Sequence, residues 1–343
     1  MGKRLNRATL PFLSLVFCIL TASPAFPQNQ PNTNLTPLGI ALEEYPYPFP
    51  VKYLALEVES QPVRMAYMDV APTERANGRT VVLLHGKNFY GSYWENTIKA
   101  FSQAGYRVVV PDQIGFGKSS KPDINYSFDL LAANTALLLD ELRIERAAIV
   151  GHSMGGMLAV RFARTYPART SHLILENPIG LEDYRFKIPP QPLQKLYESE
   201  LNQTAEAFRQ FVRRYFVEWK PEYERFVEVR ARQSLSGEFP RWAKASALTY
   251  QMIYQQPVRH EFGLIKTPAL LVIGQEDRTV VGGNFVSEDV RRTLGQYPQL
   301  GKQASRDIPG SKLVELPRVG HLPHLESPSA FHQAVLEFMR DRN

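Results

Sequence analysis

Near-continuous apolar runs, bounded by Gly, Pro or Asp, recur at residues 80–84, 107–110, 147–150, 172–175, 269–273 and 312–316. Runs of four or five such residues mark strands buried on both faces, and the helical stretches between them imply right-handed crossovers in a mainly parallel sheet. Helices are predicted at 93–104, 130–142, 155–166 and 329–339, the last opened by Ser327 as N-cap with Pro328 at the first helical position. The expected class is α/β, with helices on both faces of one sheet.

One connection is too long for this scheme. Roughly ninety residues separate the strands at 172–175 and 269–273, where a crossover needs only a dozen or so. The excess, residues 180–263, is aromatic and charged and predicts an inserted helical cap over the C-terminal edge of the sheet. Most of its rings are expected to pack the insert's own helices. Trp219, Trp242, Tyr250 and Tyr254 are the candidates for reaching a pocket beneath it. Residues 51–179 and 264–343 then form the core, and the Pro-, Asn- and Gln-rich stretch 26–50 is expected to be an extended, unpacked leader.

Residues 1–25 read as a secretory signal. Lys3, Arg4 and Arg7 precede a mostly apolar run at 8–22, and Ser23-Pro24-Ala25 supplies small residues for cleavage after Ala25. The run is short for a membrane span, so a secreted or periplasmic protein without a span in its mature form is expected, an uncleaved N-terminal anchor being the alternative. Removing this segment leaves 37 basic against 34 acidic residues, a formal charge of +3 with no long basic run. Nucleic-acid binding gains no support from that balance. Cys18 is the one cysteine and departs with the signal, which excludes cysteine catalysis and Cys-based metal sites in the mature chain. The seven histidines show no His-Glu-x-x-His spacing, and neither a metal nor an organic cofactor is implied.

Chemistry concentrates where the strand at 147–150 runs into Gly151-His152-Ser153-Met154-Gly155-Gly156 and then a helical pattern. Strand, sharp turn and helix around G-x-S-x-G make a nucleophile elbow, which holds a serine hydroxyl out above a sheet. Four further motifs sit at strand ends: His85-Gly86, the run from Asp112 through Gly115 and Gly117 to Ser119, Gly274-Gln275-Glu276-Asp277, and Gly320-His321 with His324 following. In this order and context the sequence resembles the α/β-hydrolase superfamily, in its cap-bearing branch, from about residue 50 to 343.

The resemblance assigns roles that also make chemical sense. A serine needs a base within hydrogen-bond reach, and the base needs a carboxylate to orient it. Ser153, His321 and Asp277 fill these places, with Glu276 the competing acid and His324 the competing base, the latter more readily a residue that lines the pocket or hydrogen-bonds locally. Backbone N–H groups of Met154 and Lys87 are the expected oxyanion donors, with Asn88 the fallback for the second. The Lys87 side chain would meet an anionic substrate group, pair with a carboxylate of the protein or point to solvent. His85, His152 and the Asp112 turn are expected to be structural.

A serine at the elbow argues against the superfamily's epoxide hydrolases and haloalkane dehalogenases, which attack through aspartate. It suits a carboxylic-ester hydrolase acting on a small or medium acyl substrate through an acyl-enzyme. Lactone hydrolysis and cleavage of the C–C bond of a vinylogous diketone stay open, although Lys87-Asn88-Phe89-Tyr90-Gly91 departs from the Gly-rich segment usual in C–C hydrolases. A reading of another class is a ligand receptor that keeps the fold and hydrolyses slowly or not at all.

Overall fold

The computed structural model describes residues 1–2 and 35–340. The chain divides into two units, Met1–Leu35 and Thr36–Asn343. The predicted signal segment falls almost wholly outside the described residues. Among these, no helix is long and apolar enough to cross a membrane.

The second unit holds an eight-stranded sheet: β1 (Val51–Val58), β2 (Gln61–Val70), β3 (Thr80–Leu84), β4 (Arg107–Pro111), β5 (Ala147–His152), β6 (Thr170–Glu176), β7 (Ala269–Gly274) and β8 (Lys312–Leu316). Their order is β1-β2-β4-β3-β5-β6-β7-β8. From β4 to β8 all neighbours are parallel, whereas β2 runs antiparallel to both β1 and β4. The apolar runs are continuous because successive side chains enter opposite cores. Val82 and Leu84 of β3 and Leu271 and Ile273 of β7 face one core, while Val81, Leu83, Leu270 and Val272 face the other.

Helices close both faces. α1 (Glu95–Gln103), α2 (Phe128–Glu141) and α3 (Met154–Thr165) follow β3, β4 and β5. Leu131 and Leu138 of α2 and Leu158 and Phe162 of α3 fill the first core, while Ile98 and Phe101 of α1 fill the second. Between β6 and β7 the chain forms α4 (Leu193–Leu201), α5 (Ala205–Arg213), α6 (Glu224–Gln233) and α7 (Phe239–Gln255). Thereafter come α8 (Glu288–Arg292), α9 (Tyr297–Asp307), α10 (Pro323–Glu326) and α11 (Pro328–Arg340), whose Phe331 and Val335 join α1 on the second core.

Two sequence expectations need correction. The β1–β2 hairpin is absent from the predicted strands because β1 is partly or fully exposed up to Val58, and β2 opens on Gln61, Pro62 and Arg64 before its buried stretch at 65–68, so neither shows the uninterrupted apolar run of the central strands. Its two-residue loop, Glu59 and Ser60, takes positive φ at both positions, as a type I′ hairpin turn requires. The leader 26–50 is also not unpacked over its described part. Leu38 and Leu42 are buried with Val229, the Leu38 N–H donates to the Arg232 carbonyl at 3.1 Å, and Tyr47 Oη donates to Asp112 Oδ2 at 2.6 Å. Its prolines preclude regular structure, yet the apolar residues between them still bury.

Leu38→Ala should therefore cost about 2–3 kcal/mol, in the range for truncating a buried leucine. Urea unfolding measures it, and an unchanged midpoint would show that this segment does not contribute to the core.

Candidate active site

The turn from β5 into α3 is built by close approach. A Cβ on Gly151 would lie 2.1 Å from the Gly155 carbonyl oxygen, and one on Gly155 would lie 2.2 Å from that of Leu84. With both positions reduced to hydrogen, Ser153 takes φ 56° and ψ −119°, a left-handed conformation that costs a non-glycine residue about 1–3 kcal/mol. Its backbone is held on both sides: Ser153 N–H donates to the Glu176 carbonyl at 3.1 Å, and Ser153 O accepts from Gly156 and Ile179 at 2.9 and 3.2 Å. The first N–H groups of a helix have no intrahelical acceptor, so Met154, opening α3, presents its N–H beside the serine. Lys87, in the loop after β3, lines the same cavity as Ser153.

Asp277 and His321 form a buried pair, with Asp277 Oδ2 2.7 Å from His321 Nδ1. Asn177 Nδ2 donates to Oδ2 at 2.8 Å, and the Thr279 N–H donates to Oδ1 at 2.8 Å. Burial alone would raise the Asp277 pKa, but the His321 charge and these hydrogen bonds outweigh it and hold the carboxyl below its ordinary value. An ionised carboxylate only accepts, so His321 Nδ1 is the donor and a neutral ring keeps its Nε2 lone pair free.

The His321 backbone is fixed as firmly. Its N–H donates to the Tyr215 carbonyl at 2.7 Å, and its carbonyl accepts from His152 Nε2 at 2.8 Å. The ring of His152, next to Ser153 in the chain, lies 4.8 Å from the His321 ring. Among the described residues, the Ser153 hydroxyl makes no hydrogen bond to the imidazole; it opens onto the cavity instead. Such bonds commonly tighten only when substrate is bound.

The cavity has a volume of about 930 Å³. Ile179, Leu196, Phe208, Tyr215 and Ile253 supply apolar wall, Lys87, Asn88 and Tyr250 are among the polar groups, and Arg214, Arg278, Arg291 and Arg292 bring further positive charge to the lining. Lys87 Nζ donates to Glu200 Oε1 of α4 at 3.2 Å and to Ser246 Oγ of α7 at 2.7 Å, so its charge is met by the protein. Burial would raise the Glu200 pKa, yet the Lys87 and Arg230 charges bring it below the ordinary value.

Of the pocket candidates, Asn88 and Tyr250 line this cavity. Four others do not. Trp219 donates to Glu224 Oε1 at 3.0 Å and packs on Phe216. Trp242 stacks on Phe239 and lies 4.0 Å from the Arg230 guanidinium. Tyr254 donates to the Ile188 carbonyl at 2.7 Å. His324 is buried against Glu176 Oε1, 2.8 Å from its Nδ1, which removes it from the pocket and from the role of base. Glu276 lines the cavity but is half exposed, 3.9 Å from Arg278. The aromatic candidates fail together because cap helices turn most of their rings toward each other.

Asn177 and Tyr215 went unnoticed in the sequence. Asn177 anchors Asp277 and accepts the Gly274 N–H at 2.9 Å; its one local signal is the Asn-Pro turn at the end of β6. Tyr215 Oη accepts from Asn88 Nδ2 at 2.9 Å while its ring stands 4.7 Å from that of His321, a role no local pattern encodes.

Sheet order, strained serine and buried acid–imidazole pair together define an α/β hydrolase. The chain belongs to the alpha/beta hydrolase fold family, whose sequence model matches residues 79–328. It is 30% identical over 294 residues to a 2-hydroxy-6-oxononadienedioate/2-hydroxy-6-oxononatrienedioate hydrolase of Burkholderia vietnamiensis, covering 84% of this chain and 95% of the relative. A 2-hydroxy-6-oxo-6-phenylhexa-2,4-dienoate hydrolase of Burkholderia cepacia is 28% identical over 273 residues, 78% of this chain and 89% of the relative. A crystal structure described as a "probable hydrolytic enzyme" from Pseudomonas aeruginosa PAO1 superposes with a TM-score of 0.87 at 45% identity, covering 90% of this chain and 99% of the other. The protein is a hydrolase of this fold.

Because the Asp277 pKa is lowered on folding, its contribution to stability is complete above the unfolded value of about 3.9 and is lost as pH falls through the folded value. Asp277→Asn should thus be less stable than the parent at neutral pH, by a margin that narrows below about pH 4. Urea unfolding across that range checks it; a margin independent of pH would mean that no ionised carboxylate supports the pair.

Proposed function

We propose that the protein hydrolyses carboxylic esters through an acyl-enzyme on Ser153. The observation that carries this reading is the buried Asp277–His321 pair together with a serine held in the left-handed conformation that lines a cavity of mixed apolar and polar wall. Ser153 Oγ attacks the ester carbonyl carbon as its proton passes to His321 Nε2. Backbone N–H groups of Met154 and Lys87 stabilise the oxyanion, and the ester C–O bond breaks as the leaving alkoxide takes the proton from His321. Water then attacks the acyl carbon, giving a proton to His321 that returns to Ser153 as the acid leaves.

Cleavage of a C–C bond beside a ketone is the second reading, favoured by the names of the relatives at 28–30% identity. It uses the same serine but must hold an anionic dienoate. Lys87, the cation of the oxyanion loop, is already paired with Glu200, so a substrate carboxylate would have to be met by another cation of the cavity lining, Arg214, Arg278, Arg291 or Arg292. We further propose that residues 1–25 direct export, with a mature chain beginning at Phe26. N-terminal sequencing of protein recovered from an expressing bacterium's periplasm or medium tests this, and an intact N-terminus would refute it.

Against p-nitrophenyl butyrate, Ser153→Ala should lower kcat at least about a thousandfold. Retained turnover would exclude Ser153 as nucleophile. Loss of a dienoate chromophore faster than release of p-nitrophenol, at matched concentrations, would move the assignment to C–C hydrolysis.

A further inference from the structure

Three polar groups beside the site have no part in the chemistry above: the Gly86 N–H, the Tyr93 hydroxyl and the His152 imidazole. They are continuous. Gly86 N lies 3.0 Å from Tyr93 Oη, Tyr93 Oη lies 3.0 Å from His152 Nδ1, and His152 Nε2 lies 2.8 Å from the His321 carbonyl oxygen. Tyr93 and His152 are both 1% exposed or less, so water does not compete for these bonds.

The two ends of the chain determine every proton in it. A carbonyl oxygen can only accept, so His152 Nε2 carries a proton and donates to His321. In a neutral imidazole Nδ1 is then an acceptor, which the Tyr93 hydroxyl must supply. The phenol oxygen, having given its own proton away, accepts the one that a backbone N–H can only donate. A doubly protonated His152 would leave the Tyr93 proton without an acceptor. Burial, then the charges of His321 and His324, hold the His152 pKa well below its ordinary value, in keeping with the neutral ring.

What lies at each end gives the chain its meaning. Gly86 immediately precedes Lys87, the proposed oxyanion donor, and its carbonyl is also fixed, accepting from His85 Nδ1 and the Phe89 N–H at 2.9 and 3.2 Å. A Cβ at Gly86 would sit 3.0 Å from His152 Nδ1 and 3.1 Å from Ser153 Cβ, so this loop packs directly on the elbow. The far end is the backbone of His321 itself.

We propose that Tyr93 and His152 are positioning residues forming a one-way hydrogen-bond relay that locks the oxyanion loop and the base loop in register across Ser153. This rests on the reading of Ser153 and His321 as the catalytic pair. The relay acts through the placement of Lys87 and His321, so its loss should appear in kcat rather than in substrate affinity, misplacement by an ångström being worth up to about a hundredfold.

With p-nitrophenyl butyrate, Tyr93→Phe and His152→Phe should each lower kcat about tenfold or more, with KM little changed. The double variant should be no slower than the slower single one, because a relay is broken once. His152→Gln, which keeps a donor toward the His321 carbonyl, should recover part of the loss. Effects that multiply in the double variant, or Gln no better than Phe, would overturn the relay and leave two independent packing roles. Should the Phe variants not fold, imidazole ¹⁵N shifts of the parent protein decide: His152 neutral and protonated on Nε2 from pH 5 to 8 supports the relay, and an Nδ1-protonated or charged ring refutes it. Ser153→Ala separates the layers. If it stays active the catalytic reading itself fails, whereas its inactivity beside fully active relay variants sinks the relay alone.

Discussion

A serine kept in a left-handed backbone conformation is the constraint on which the rest of this structure depends. Nothing local favours φ 56° at Ser153; it persists because the surroundings leave no alternative. The strand before it is hydrogen-bonded on both sides, to β3 and β6, and the helix after it is packed into the first core. Glycines at 151 and 155 then let strand, helix and the end of β3 approach to distances that a side chain would forbid. The cost of the turn, about 1–3 kcal/mol, is small beside the burial that surrounds it.

Glu176, at the tip of β6, shows how that constraint spreads. Its carbonyl accepts the Ser153 N–H, while one oxygen of its buried carboxyl group accepts the His324 N–H at 2.7 Å. The next residue, Asn177, donates to Asp277 and accepts from Gly274. Two adjacent residues at the end of one strand therefore touch the elbow, the acid and the loop that carries the base. Since a buried polar group left unpaired costs about 1–3 kcal/mol, each partner in this set is held by the others.

The central parallel strands were legible because they are buried on both faces and so are apolar without interruption, as in 147–150 and 269–273, whereas the edge strand β8, expected to be buried likewise, keeps Lys312 and Glu315 exposed. The β1–β2 hairpin was not, since β1 is largely exposed before Val58 and the exposed Pro62 and Arg64 interrupt the start of β2. Ser153, His321 and Asp277 could be picked out because each sits where a strand ends in a glycine-marked turn. The pocket was the opposite case. Trp219, Trp242 and Tyr254 have the composition of a binding wall, but which way a ring points depends on helix orientation within the cap, and here they pack against Phe216, Arg230 and Ile188. Asn177, Tyr215 and Glu200 act through partners roughly a hundred residues or more away in sequence, a relation that no local pattern contains.

Tyr215 and Glu200 also alter what the insert between β6 and β7 is for. A cap that only shaped a pocket would need to touch substrate alone, yet these residues grip the two loops that carry the proposed chemistry. Tyr215 accepts the His321 N–H through its carbonyl and the Asn88 side chain through its hydroxyl, while Glu200 holds Lys87. Any shift of α4 or α5 is thereby transmitted to the base loop and the oxyanion loop through hydrogen bonds no longer than 3.2 Å. Specificity and rate are then not separable properties of cap and core. In the proposed reaction, a substrate that displaced Glu200 or Tyr215 would change the placement of Lys87 and His321 along with the room available, so poor fit would be felt at the reacting carbonyl as well as at the wall.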